Sequence, residues 1–232
     1  KEKGRIEGPV VRHTDTTADY NWFAIGGRYG SANTFTGKMA HMRISRGVLN
    51  ASQFLCATGA EPVQTPVVTR AYWPLDWNGS ALDLASRVNA GYPLEAQNAV
   101  GTAAQARGRI PNVDDGCEKR NRGSVILNGN GSLTSARAGE ALDLDRAFTV
   151  EGWMLWKASA ETVCGTFYND SGWKLSLDAN GVFHIFARGA VPLTACVDKA
   201  FDGVNAVSGD WMHVALSYDP MVGNGIWTLF FN

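Results

Sequence analysis

The run Phe148-Thr149-Val150-Glu151-Gly152-Trp153-Met154-Leu155-Trp156 decides the fold class. Read with a period of two, one face carries Phe148, Val150, Met154 and Trp156, and the other mixes Thr149 and Glu151 with Trp153 and Leu155. That is a strand buried well on one side. The same period continues downstream. Trp173-Lys174-Leu175-Ser176-Leu177 alternates, Asp178-Ala179-Asn180-Gly181 supplies turn residues that tolerate a positive φ, and Val182-Phe183-His184-Ile185-Phe186 returns as a hairpin. Met212 to Tyr218 and Ile226 to Phe231 form a second pair around a glycine-bearing loop from Asp219 to Gly225.

Upstream of the decisive run, Val125-Ile126-Leu127 and Leu133-Thr134 flank the turn Asn128-Gly129-Asn130-Gly131, so a strand pair is expected there. Trp22-Phe23-Ala24-Ile25 and Lys38 to Ile44 read as strands near the start, and Asn50 to Phe54 as one helical turn. A short helix is expected from Leu82 to Val88. Elsewhere the 26 glycines and 8 prolines interrupt the longer helical candidates. Thr58 to Pro66, with two prolines and no periodicity, reads as a linker, and Ala99 to Arg122 as a solvated loop of mixed charge.

Composition narrows the function classes. A chain of 232 residues suits one large β domain or two small ones, and should bury roughly 70% of its unfolded surface. Hydrophobic residues make up 45% and charged residues 19%, with 21 basic against 22 acidic side chains. Without a basic excess to displace counterions, nucleic acid is not an expected partner. No apolar run approaches the roughly 18 residues of a membrane span. The chain begins with Lys1 rather than Met and stops at Asn232 inside a strand pattern, so it reads as a piece of something longer. Four cysteines, Cys56, Cys117, Cys164 and Cys196, lack zinc-ligand spacing and allow two disulfides. The sequons at Asn50, Asn78, Asn130 and Asn169 fit an exported chain.

Taken together, Phe148-Thr149-Val150-Glu151-Gly152-Trp153, the central hairpin, Asp210-Trp211-Met212-His213-Val214-Ala215 and Trp227 to Asn232 resemble the laminin G-like members of the concanavalin A-like lectin/glucanase superfamily. Ala71-Tyr72-Trp73-Pro74-Leu75-Asp76 looks like an opening strand of such a domain. Phe23-Ala24-Ile25-Gly26-Gly27-Arg28, Phe35 to Ser45 and Leu49 to Leu55 look like closing strands, which here come first. The resemblance implies an all-β, two-sheet antiparallel jelly-roll sandwich. Residues 1–56 would be closing strands, 57–68 a linker, and 69–232 the opening and central strands. Closing strands cannot stand alone with open edges. They must fold back on their own chain or enter a neighbour, and a head-to-tail exchange would build an open polymer.

The resemblance also directs the search for chemistry. Glucanases of the superfamily pair carboxylates on alternate positions of one strand as nucleophile and acid. Here Glu151 has Thr149 and Trp153 at those positions, so it reads as a solvent-side strand residue and not a catalyst. His13, His41, His184 and His213 are scattered, the serines lack an elbow motif, and no nucleotide fingerprint appears. Many laminin G-like domains hold calcium at the rim, for which Asp76, Asp83, Asp143 and Asp145 are the candidates, turn and cap duty being the alternative. Trp22 and Trp77, beside turn residues, are the candidates for stacking on a ligand, whereas Trp153, Trp211 and Trp227 read as core or strand-end residues. Cys164 precedes the central hairpin and Cys196 follows it, a candidate disulfide whose alternative is two free buried thiols.

The function expected is a non-catalytic extracellular or cell-surface module that binds a glycan or protein and that self-assembles in the sharper version by lending residues 1–56 to the next copy. A divergent polysaccharide hydrolase or lyase of the same superfamily is the competing expectation.

Overall fold

Period-two patterning broken by glycine turns can satisfy its backbone only in sheets, and the computed structural model of the chain is built that way. It describes residues 2–8, 22–27, 34–55, 69–75, 83–88, 92–97, 100–101, 124–135, 146–159, 161–168, 171–188 and 195–231. The strands are β1 (Glu2–Glu7), β2 (Trp22–Ile25), β3 (Thr36–Arg46), β4 (Thr69–Trp73), β5 (Glu95–Gln97), β6 (Val100–Gly101), β7 (Val125–Asn128) and β8 (Ser132–Ser135). They continue as β9 (Phe148–Trp156), β10 (Glu161–Tyr168), β11 (Ser171–Leu177), β12 (Val182–Arg188), β13 (Ala195–Asn205), β14 (Trp211–Asp219) and β15 (Ile226–Phe231).

These strands form two antiparallel sheets packed as a jelly-roll-type sandwich. The eight-stranded sheet runs β1-β15-β14-β9-β3-β7-β6, with β4 also on β3, and the seven-stranded sheet runs β13-β12-β11-β10-β2-β8-β5. β1, β2 and β3 all pair with strands of residues 69–231 in the same chain and none pairs with another of the three. Residues 2–46 thus close the sandwich on their own chain here.

The core lies between the sheets. Phe148, Val150, Met154 and Trp156 of β9 all enter it, as their alternation requires. Its centre is aromatic: Phe148 stacks on Trp173 at 5.1 Å, and Trp227 lies 4.6 Å from Tyr218 and 5.8 Å from both Phe148 and Trp173. Such pairs contribute about 0.5–1.5 kcal/mol each beyond the area they bury.

β3 carries a bulge between Ala40 and Arg43, with His41 at φ +51°, where its neighbour changes from β7 to β4. Opposite the bulge stands Gly152, where an added Cβ would lie 2.1 Å from Met42 Sδ. A side chain at 152 would have to displace the Met42 side chain packed over it.

Two local expectations are corrected. Residues 83–88 hold no helix. Asp83 Oδ1 accepts from Ala85 N at 3.1 Å, and the segment is drawn to β4 by Arg87 N donating to Tyr72 O at 2.8 Å and Tyr72 N to Ser86 Oγ at 3.3 Å. An Asx turn plus an edge-strand partner outcompete a short helix whose own end groups would go unpaired. Val125–Leu127 and Leu133–Thr134 do not pair either, because β7 and β8 belong to opposite sheets and the turn between them crosses the sandwich. The helical turn near Asn50 is present as a 3₁₀ turn over Ala51–Gln53. The expected linker at 57–68 lies outside the described residues.

Candidate functional site

The outward residues of β9 were expected to meet solvent. One of them, Glu151, is instead 1% exposed and stands at the middle of a buried polar cluster, which corrects that reading. In register across the eight-stranded sheet, Tyr72 of β4, Arg43 of β3, Glu151 of β9, Ala215 of β14 and Phe230 of β15 form one row. Arg43 Nε donates to Glu151 Oε1 at 2.8 Å, and Arg43 Nη2 donates to the same oxygen. His213 Nε2 lies 3.0 Å from Glu151 Oε2, which also accepts from Leu55 N at 2.7 Å.

What buries this face is the segment that follows β3. Thr149 Oγ1 donates to Gly47 O at 2.9 Å and accepts from Leu49 N at 3.0 Å. Gln53 closes its own turn, its Oε1 accepting from Asn50 N at 2.9 Å and its N donating to Asn50 O at 2.9 Å. Gln53 O then accepts from Arg43 Nη2 at 2.5 Å. Phe54 covers the cluster, packing edge-on against Phe230 at 5.0 Å and tilted on His213 at 5.8 Å. Residues 47–55 are therefore a strap laid over the outside of the sheet and pinned by Thr149, Arg43 and Glu151.

Chemically, the cluster is closed. Glu151 receives two bonds on one oxygen and two on the other, so no lone pair is left to abstract or deliver a proton to a substrate. Losing one partner of such a pair leaves a buried charge uncompensated, at a cost of about 3–5 kcal/mol.

Four titratable groups among the described residues are displaced from their ordinary behaviour. Burial lowers the pKa of His41 from 6.5 to about 4; its Nδ1 lies 2.7 Å from Tyr72 Oη, the rings stack at 6.1 Å, and Nε2 is buried without a partner. Burial raises the pKa of Glu161 from 4.5 to about 7, against the opposing bond from Thr36 N at 2.6 Å. Ser159 Oγ donates to the other Glu161 oxygen. Since Thr36 opens β3 and Glu161 opens β10, this carboxyl joins the two sheets at the rim. At the tip of the β11–β12 hairpin, Asp178 Oδ1 accepts from Val182 N at 2.9 Å and Asn180 N at 2.8 Å, which holds its carboxyl below the usual range.

Of the residues expected from sequence, Asp83 accepts from Ala85 N and forms an ion pair with Arg87, so its carboxylate caps a turn. Asp76, Asp143, Asp145 and Trp77 lie outside the described residues, as does the side chain of Trp22, whose backbone pairs with Phe167. No group of three or more metal-ligating side chains occurs among the described residues.

The Cys164–Cys196 bridge is corrected. Cys164 is a free buried thiol on β10, its pKa pushed up to about 12 by burial. β11 and β12 separate β10 from β13, where Cys196 lies. Three strand spacings amount to about 14 Å, against the roughly 4.4–6.8 Å between Cα atoms that a disulfide requires.

Trp227 is a core residue as expected, but Trp153 is buried on the outer face, edge-on to His213 at 5.4 Å. Sequence reasoning missed Arg43, His213 and Leu55 N as partners of Glu151, and Gln53 O as a partner of Arg43. The available signal was a glutamate as the one charged residue of a nine-residue strand.

Fold and cluster together define a two-sheet antiparallel β-sandwich whose buried outer-face ion pair fastens its own strap. Comparison with family models, with curated proteins and with solved structures found no match to the chain.

Proposed function

We propose that this chain is a non-catalytic, laminin G-like module of an extracellular or cell-surface protein, which binds a glycan or a protein through its rim loops. One observation carries the non-catalytic part: Glu151, the glutamate at the centre of the decisive strand, spends both carboxylate oxygens on Arg43, His213 and Leu55 N. Glu161 is spent likewise on Thr36 N and Ser159 Oγ. These carboxyl groups hold strands together where a glycosidase would leave them facing a cleft. The binding part rests on the resemblance of residues 71–232 and 1–56 to that family, a fold-level analogy.

The test is a paired assay on the intact chain. Polysaccharides should release no reducing sugar above a no-protein control, while immobilised glycans or extracellular-matrix proteins should capture the chain saturably, with and without added calcium. Reducing-sugar release above that control would overturn the non-catalytic reading and favour a polysaccharide hydrolase or lyase, and its loss in Glu151→Gln or Glu161→Gln would name the carboxyl responsible. Failure to bind any of these ligands would overturn the binding reading.

A further inference from the structure

We infer that this chain exchanges residues 2–55 with a second copy of itself, each body of residues 69–231 accepting β1 to β3 and the strap of the other. The inference is independent of the ligand-binding reading. Its first support is the pairing pattern. β1 bonds only to β15, β2 lies between β8 and β10, and β3 lies between β9 on one side and β7 and β4 on the other. The three strands make no ladder with one another, and apart from local bonds such as Phe35 N donating to Gly26 O at 2.7 Å the segment draws its stabilisation from the body it enters.

The body is equally incomplete. Without β2 the seven-stranded sheet splits between β8 and β10, and without β3 the other splits between β7 and β9. Edges of five strands, β4, β7, β8, β9 and β10, would lose their partners, and Phe23, Ile25, Met39 and Ile44 would leave the core.

The buried ion pair keys the register of entry. Glu151 belongs to the body and Arg43 to the inserted segment, and the two face each other directly across β9 and β3. Insertion of the segment with its strap buries Glu151, and only the register that brings Arg43 opposite compensates the carboxylate it buries. Trp227 Nε1 donating to Gly8 O at 3.1 Å fixes the far end of the same segment.

All of these bonds are the same whichever chain supplies the segment; only the connection from Leu55 to Thr69 differs. Exchange is therefore governed by the concentration of second copies relative to the effective concentration set by that connection. Because the interior strands cannot leave a folded sandwich without breaking it, the choice is made during folding.

The experiment is complementation by co-refolding of full-length chains. Phe23→Asp spoils the inserted segment and Trp173→Asp spoils the body, both positions being fully buried. Neither variant should refold alone. Refolded together at high concentration, the good segment of one chain meets the good body of the other, and about half the wild-type native signal should return, one intact sandwich per two chains. Wild-type chain refolded under the same conditions should show species at multiples of 25.0 kDa by light scattering. A mixture that gives no more native signal than its parts, with wild type remaining at a single 25.0 kDa species, overturns the inference.

Discussion

At the residue scale, Arg43 and Glu151 are the pair with most at stake. Glu151→Gln keeps shape but strips the charge from under Arg43, and Arg43→Met leaves the carboxylate alone. Each is expected to destabilise the chain by about 3–5 kcal/mol in denaturant titrations, whereas replacing both together by apolar residues of similar volume should recover much of the loss. Stability against pH carries two opposed contributions. His41, with its folded pKa lowered from 6.5 to about 4, contributes stability that is lost as pH falls through that window. Glu161, raised from 4.5 to about 7, contributes stability that is complete below 4.5 and lost as pH rises to 7. The two slopes oppose each other over most of this range. In melts from pH 4 to 8, Glu161→Gln should leave a midpoint that falls steadily on acidification. His41→Asn, which tolerates the positive φ at this bulge, should leave one that falls on raising pH. Identical pH profiles for wild type and both variants would refute this account.

At the element scale, the strap and the central hairpin make separate predictions. Phe54→Ala removes the ring packed on His213 and Phe230, and is expected to cost about 3–4 kcal/mol while speeding hydrogen exchange at the Leu55 amide. In the β11–β12 turn, Gly181 sits at φ +80° and a Cβ there would lie 2.7 Å from Ala206 O. Gly181→Ala should therefore destabilise by more than about 1 kcal/mol, read as a lowered unfolding midpoint. The elements differed in how far the sequence disclosed them. The β11–β12 hairpin was legible because its alternation and its turn chemistry are local. The separation of β7 and β8 was not, since a glycine turn within a sheet and one that crosses between sheets use the same residues.

At the scale of the whole molecule, the first and last strands meet. Glu2 pairs with Phe230 while Glu7 pairs with Ile226, so the start of β1 and the end of β15 lie at the same end of one antiparallel pair. A two- or three-residue turn can join them. A circular permutant that links Asn232 to Lys1 through such a turn and opens between 57 and 68 should fold to the same near-ultraviolet circular dichroism as the parent. Loss of that signal would mean that the order of the strands in the chain, and not their pairing alone, is needed. Because β1 and β15 stand at opposite ends of the sequence, folding should also be slow, in the range of about milliseconds to seconds.

Alternation and glycine spacing determined from sequence alone that the chain is built of strands, and which face of β9 enters the core, because a period of two is a property of neighbouring residues. The two-layered arrangement was implied by the family resemblance and is seen in the two sheets. The partner of each strand, the burial of Glu151 and the freedom of Cys164 were decided only in three dimensions. A strand's outer face is dry or wet according to what lies over it. Here that is the strap of residues 47–55, about a hundred positions from Glu151 in the chain, held there by the charge it covers. Cys164 likewise follows from sheet order, since two intervening strands set a distance that no spacing in the sequence reveals.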